Sequence, residues 1–278
     1  MKSYTASLNY LKIGVCLILF RELISFFVYK DILFGEGGIV PTEVYLKILD
    51  YFGLTIFNDL FSPEYLTLIC LVAIGLNVLF FLNVNNLLFG GLLYLVLVLF
   101  RLRNIYIMDG HDNLIALLVL YLSFYNNKFF SITPNAIAFL VKFQICVVYF
   151  FSGLWKIDGE LWKNGTALYY VLNTEDFDVY RISNVLNSFP LLYKGLTYFT
   201  LFFEMAFPIF VWFNRFKLPF MVFGILLHIG IFLLMRIDSF SVTMLLCYVV
   251  LLSDQELADI KNYFVRKTDF MHPTRTTS

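Results

Sequence analysis

The chain has 278 residues, 60% of them apolar and 14% charged, with a mean hydropathy of +0.79. Its 20 basic and 20 acidic residues cancel, so no net field favours nucleic acid as a partner. A single water-solvated core of this length does not hide so much apolar surface, and a lipid bilayer is the expected partner and solvent for it.

The first apolar run, Leu11 to Tyr29, is long enough to span a bilayer but holds Arg21 and Glu22 near its centre. It has no small-residue cleavage site, which predicts a retained helix and not a signal peptide. A glycine-rich piece follows, Phe34-Gly35-Glu36-Gly37-Gly38-Ile39-Val40-Pro41. Beyond it the periodicity of Val44 to Leu49 predicts a helix lying on the membrane. Tyr65 to Leu82 and Leu87 to Leu102 read as the second and third spans, parted by the polar turn 83–86. Leu114 to Tyr125, starting as early as Gly110, reads as the fourth. The breaks Asn126-Asn127-Lys128 and Thr133-Pro134 lead into the fifth, Ala136 to Trp155.

The connection from Lys156 to Lys194 is too long for a turn. It predicts an interfacial or re-entrant helix around Trp162 to Tyr170, then an acidic loop, Glu175-Asp176-Phe177-Asp178. Leu196 to Phe213, Leu218 to Met235 and the short Phe240 to Leu252 complete the set. The fold expected is an all-α integral membrane protein of about eight transmembrane helices, with interfacial or re-entrant helices in two long non-cytoplasmic loops. Residues 1–252 form its single polytopic domain, and 253–278 a polar tail that looks disordered. The density of Lys and Arg in the short loops predicts a multi-pass cell-membrane protein with both termini cytoplasmic. Cys16, Cys70, Cys146 and Cys247 lie in apolar runs with no C-x-x-C pair, and read as small buried hydrophobes. No metal site and no nucleotide-binding loop is legible. No inverted repeat argues for a transporter.

Ionisable groups within apolar helices need a reason. Arg21 and Glu204 fall near the middle of their helices and could pair, either to fix helix register or for chemistry. Pro208, four residues after Glu204, frees a backbone carbonyl there. His228 stands alone in an apolar helix, as a satisfied core residue or as a ligand-cavity group. Lys142, toward the expected cytoplasmic end, can snorkel. With antiparallel spans, His111 at the head of the fourth and Lys156 at the end of the fifth reach one face. Lys156 is then either a helix anchor or a neutral base at the edge of an apolar cavity, with His111 steering its proton.

Gly153-Leu154-Trp155-Lys156-Ile157-Asp158, with Trp162 and Gly165, resembles the family of horizontally transferred transmembrane domains, which includes the vitamin K-dependent γ-glutamyl carboxylase. Phe20-Arg21, the Gly-Glu-Gly-Gly loop, His111, Phe203-Glu204 with Pro208, and His228 followed by Phe240-Ser241 and Met244 extend the resemblance over nearly the whole chain. It implies a membrane-embedded quinol-linked enzyme acting on a peptide or lipid-soluble substrate at the non-cytoplasmic face. Lys156 would be its base, His111 its auxiliary, and a reduced quinone of the vitamin K type its cofactor. Trp155, Asp158, Trp162, Gly165 and His228 would line the substrate or quinone cavity. The sequence departs from the carboxylase in having Trp155-Lys156 where two lysines stand, and in lacking a large lumenal region. It looks more like bacterial members, such as the membrane protein that helps mature the sporulation-delaying toxin. That branch implies a non-enzymatic maturation, export or immunity factor, with a secreted peptide and a small accessory maturation protein as partners.

Overall fold

The computed structural model describes residues 2–106, 109–125, 132–175, 177 and 183–271, with side chains as far as Tyr263. The described residues form helices and turns with no strand. The helices are α1 (Thr5–Val28), α2 (Lys30–Phe34), α3 (Thr42–Tyr51), α4 (Pro63–Phe81), α5 (Asn86–Arg103), α6 (Gly110–Ser123) and α7 (Pro134–Asp158). Then come α8 (Glu160–Lys163), α9 (Ala167–Leu172), α10 (Ser183–Leu186), α11 (Pro190–Phe210), α12 (Asn214–Met235), α13 (Asp238–Cys247) and α14 (Asp254–Met271). Short 3-10 turns lie at Thr55–Phe57 and Tyr248–Leu251. The expected break at Asn126-Asn127-Lys128, Asp176 and Asp178 of the acidic loop, and residues 272–278 lie outside the described residues.

The eight-span architecture is corrected by this structure. Among the described residues four helices, α4, α5, α7 and α12, are long and apolar enough to cross a membrane. A fifth results only if Asp238–Leu251 and Asp254–Tyr263, bent by 103°, count as one. The other expected spans fail for physical reasons. Helix α1 has the length but carries Lys12, Arg21 and Glu22. Helix α6 has 14 residues, about 21 Å of rise against about 30 Å of hydrocarbon. Lys194 and Glu204 interrupt α11, and α13 gives way to a 3-10 turn at Tyr248. The long connections fold into short helices that pack internally, α3 on α5 and α9 on α11, instead of forming interfacial or re-entrant elements. The multi-pass cell-membrane location and the cytoplasmic placement of both termini rested on eight crossings and fall with them. What stands is an all-helical chain with a few long apolar helices and some membrane character.

Two compact units are present. One comprises residues 1–105, 116–139 and 249–278, the other 106–115 and 140–248. The tail expected from residue 253 begins as helix α14 and belongs to the first unit. All four cysteines are free and buried.

The first unit is built on α1, α4 and α5. Its interior is pinned by Arg103 at the end of α5, a fully buried side chain. The guanidinium donates to the carbonyls of Phe34 (3.0 Å), Val40 (2.7 Å) and Gly35 (2.6 Å), and to Thr42 Oγ1 (3.3 Å). A planar fork of five donors is suited to gathering the carbonyls of a loop. The Phe34–Pro41 segment is thereby wrapped around one cation. Phe26, Phe34, Phe61 and Phe100 enclose the same region with ring centroids 4.8–5.8 Å apart.

Helix α1 is capped from far along the chain. The Asp254 carboxylate accepts from the backbone N–H groups of Thr5 (3.0 Å), Ala6 (3.0 Å) and Ser7 (3.3 Å). A carboxylate there satisfies orphan donors and complements the positive end of the helix. One helical turn later, the buried Lys12 ammonium donates to Asn83 Oδ1 and Asn86 Oδ1, both at 2.7 Å, and sits 4.2 Å from the Phe80 ring centroid. Both acceptors are neutral amide oxygens, and burial pushes the amine's pKa down from its usual 10.5 to about 8.

Two predictions follow from these cations. Arg103→Met leaves three carbonyls without their donor, and should lower unfolding free energy by about 3–5 kcal/mol in denaturant titration. A loss below about 1 kcal/mol would show that water replaces the guanidinium. For Lys12, the unfolded chain keeps its proton up to about 10.5, whereas the folded protein releases it near 8. The unfolded state therefore binds more protons between those values, and stability should rise with pH across that window. The rise should vanish in Lys12→Met, and an identical pH profile for the two proteins would refute the assignment.

Candidate functional site

The second unit places a polar stripe inside an apolar bundle. In α7 the segment Ile145–Leu154 is apolar apart from Tyr149, Ser152 and Gly153, and Lys156 follows one turn later. Steps of three and four residues set Tyr149, Ser152 and Lys156 on one helix face. Helix α11 presents Phe203, Glu204 and Phe207 to that face. A Cβ at Gly153 would lie 2.7 Å from Met205 Sδ and 3.3 Å from Glu204 Cβ, so glycine is what lets the two helices approach.

That approach closes a three-membered cluster. Lys156 Nζ donates to Glu204 Oε1 (2.5 Å), Glu204 Oε2 (2.7 Å) and Ser152 Oγ (2.6 Å), while Ser152 Oγ donates to Oε1 (3.2 Å). All three ammonium hydrogens are taken, and the Trp162 ring lies 5.2 Å from the nitrogen. Glu204 is buried. Burial raises its pKa, against the opposing pull of Lys156 and Ser152.

One turn back along α7 a second network begins. Tyr149 Oη is 2.7 Å from His228 Nε2 and makes a very short contact with Tyr248 Oη. All three residues are buried. The rings of Phe203 and Phe207 pack against Tyr149 at 5.4 and 4.4 Å, and Phe240 packs against the imidazole at 5.7 Å. Gly224 lies directly beneath the Tyr248 hydroxyl, in space that no side chain could share.

Two cavities adjoin these helices. An apolar cleft of about 420 Å³ is lined by α9, α11 and α12, among them Leu172, Phe199, Phe223, Leu227, Gly230 and Ile231. A polar cavity of about 670 Å³ at the α12–α13 turn holds Asp109, Arg236 and Asp238 with Phe240 in its wall. Met235 lines both.

The residues singled out from sequence separate into groups. Lys156 and Glu204 come together, with Trp162 beside them. His228 is a buried partner of Tyr149. His111 is buried at the head of α6, with its Nδ1 3.0 Å from Thr243 Oγ1 and its backbone N–H donating to Asp109 Oδ1 (2.6 Å). Neither of these is a partner of Lys156. Trp155 is 79% exposed and Asp158 is exposed, so neither lines the interior beside Lys156. Gly165 is buried in the turn between α8 and α9 with φ +78°. Arg21 is exposed and lies in the other unit, and the Glu204 carboxylate is used by Lys156. Sequence reasoning missed Tyr149, Ser152 and Tyr248. The spacing of Tyr149, Ser152 and Lys156 along one apolar helix was the available signal.

Compared with known proteins, the chain matches no family model, no curated protein and no solved structure. The membrane-embedded, quinol-linked carboxylase reading is corrected on two grounds. The eight-span domain it requires is absent among the described residues. No matching family, curated protein or solved structure lends support to carboxylase activity either. The alternative, a bacterial maturation, export or immunity factor for a toxin peptide, rested on the same resemblance, which no comparison supports.

The cluster's energetics can be tested by a double-mutant cycle. Lys156→Met alone should cost about 3 kcal/mol by leaving a buried carboxylate unpaired. Adding Glu204→Leu should recover most of that loss, and purely additive losses would show that the pair is not coupled.

Proposed function

We propose that the protein binds a lipophilic molecule, its long apolar chain in the cleft between α9, α11 and α12 and its polar end toward the cavity at the α12–α13 turn. The observation carrying this reading is the juxtaposition at Met235 of an almost wholly apolar cleft and a polar cavity holding Asp109, Arg236 and Asp238. A cleft of about 420 Å³ is within the size range of small-molecule sites and suits an acyl or prenyl chain. A reduced quinone of the vitamin K type is one member of this ligand class.

The surroundings of the cleft favour a ligand that arrives from lipid. Helix α12 exposes Val222, Phe223, Leu226, Ile229 and Leu233, an apolar face of the kind that seeks a lipid or protein partner. A lipid bilayer in contact with this face would present chains directly to the cleft. In this reading the Lys156–Glu204–Ser152 cluster is a framework element that holds α7 against α11.

Filling the cleft is the direct test. A side chain built at Gly230 meets no atom within 4 Å, so Gly230→Trp adds bulk to the cleft without a clash at its root. Displacement of a fluorescent fatty acid should show at least about tenfold weaker binding in Gly230→Trp. Ile56→Trp, at an 87% exposed site of the other unit, should bind as wild type does. Equal binding by wild type and Gly230→Trp would remove the cleft as the site.

A further inference from the structure

The Tyr248–Tyr149–His228 network ends on an atom with nothing to bond. His228 is 1% exposed, and its Nδ1 is buried with no hydrogen-bond partner among the described residues. Buried polar atoms are nearly always paired, so a buried ring nitrogen left open calls for a partner from outside the chain.

The proton on that ring follows from counting donors and acceptors. If His228 Nε2–H donated to Tyr149, the Tyr149 hydroxyl would donate to Tyr248. The Tyr248 hydrogen and the Nδ1 lone pair would then both lack partners. If Tyr248 donates to Tyr149 and Tyr149 donates to His228 Nε2, both hydroxyl hydrogens are used, and only one group is left over. That group is Nδ1–H. The second arrangement leaves fewer buried groups unsatisfied and prevails. His228 therefore offers a fixed, neutral hydrogen-bond donor in apolar surroundings.

Its position connects it with the cavities. Leu227 and Ile231, which line the apolar cleft, flank His228 on α12 at steps of one and three residues. Phe240 packs edge-on against the imidazole and forms part of the wall of the polar cavity. Phe240 thus touches both the imidazole and the polar cavity.

We propose that His228 Nδ1–H is the recognition group for an oxygen acceptor, the carbonyl of a lipophilic ligand, which reaches it past Phe240. This rests on the cleft being a ligand site. A neutral donor, set among the rings of Tyr149, Phe240 and Tyr248, selects a neutral carbonyl over a carboxylate, whose charge would have to be desolvated there. The same nitrogen could be met by a single internal water, and the test separates the two sources.

The experiment uses the full chain labelled with ¹⁵N-histidine. With only three histidines, His111, His228 and His272, the ring signals can be assigned by substitution. The expected spectrum shows His228 protonated at Nδ1, and a long-chain methyl ketone should shift that resonance while an alkane of equal length leaves it in place. Competition binding should show the ketone favoured over the alkane by about tenfold in wild type and equally bound in His228→Phe. A resting Nε2–H tautomer would overturn the proposal, as would equal binding of ketone and alkane by wild type. An Nδ1 signal indifferent to ketone, marking a site held by water, would overturn it too. If neither probe binds wild type, the cleft is not a ligand site and the broader functional reading fails. The tautomer is read on wild-type protein, so the outcome does not depend on the variant folding.

Discussion

In this chain most polar groups placed among apolar neighbours find their partners within the protein, and the structure is organised by how they do so. Leaving a buried donor or acceptor open costs about 1–3 kcal/mol, and an unpaired charge costs more. With 60% apolar residues, few such groups exist, and each fixes a definite piece of backbone. Arg103 gathers the loop after α2, Lys12 holds the α4–α5 turn through Asn83 and Asn86, and Glu204 ties α11 to α7. The hydrophobic effect drives collapse without direction, and these contacts supply the direction.

The two networks of the second unit use the same helix face to opposite ends. Around Lys156 every donor is spent, which makes a rigid brace between two helices. Around His228 the donors run in sequence toward one open end. Small residues permit both: Gly153 admits α11 beside the brace, and Gly224 admits the Tyr248 hydroxyl to the chain of rings. A methyl group at Gly224 would collide with the Tyr248 hydroxyl, and one at Gly153 would press on the Met205 side chain.

Much of the helical content was legible in the sequence, because apolar runs bounded by Pro, Asn and Gly leave little else to form. Spans corresponding to α4, α5, α7 and α12 were read close to their observed limits, and the helix over Val44–Leu49 is present as α3. The count of crossings was not legible. Hydropathy alone treats α1, α6, α11 and α13 as equivalent to the longer helices, and takes no account of three charges, of length, or of a 3-10 ending. At the site, the sequence marked Lys156, Glu204 and His228 as unusual without telling which would meet. Pairing depends on how close two helices come, which Gly153 sets for α7 and α11. Arg103 was passed over because a residue at a helix end reads as a solvent-facing terminus. Its partners are backbone carbonyls, and these leave no mark in side-chain spelling. The resemblance implied a base at Lys156, and the sequence could not tell that Ser152 and Glu204 would surround its nitrogen.

The carboxylate at the start of α1 bears on the order in which this molecule is assembled. Thr5 and Asp254 are 249 positions apart. During synthesis the first helix emerges long before its cap exists, and its leading amides must be solvated or otherwise occupied for most of translation. Closing so long a loop is a late and entropically demanding step. The meeting of α1 and α14 therefore acts as a latch: until residue 254 has been made, the first unit is a set of helices without a finished edge. A nascent chain stalled before that residue would leave the first amides of α1 without their carboxylate.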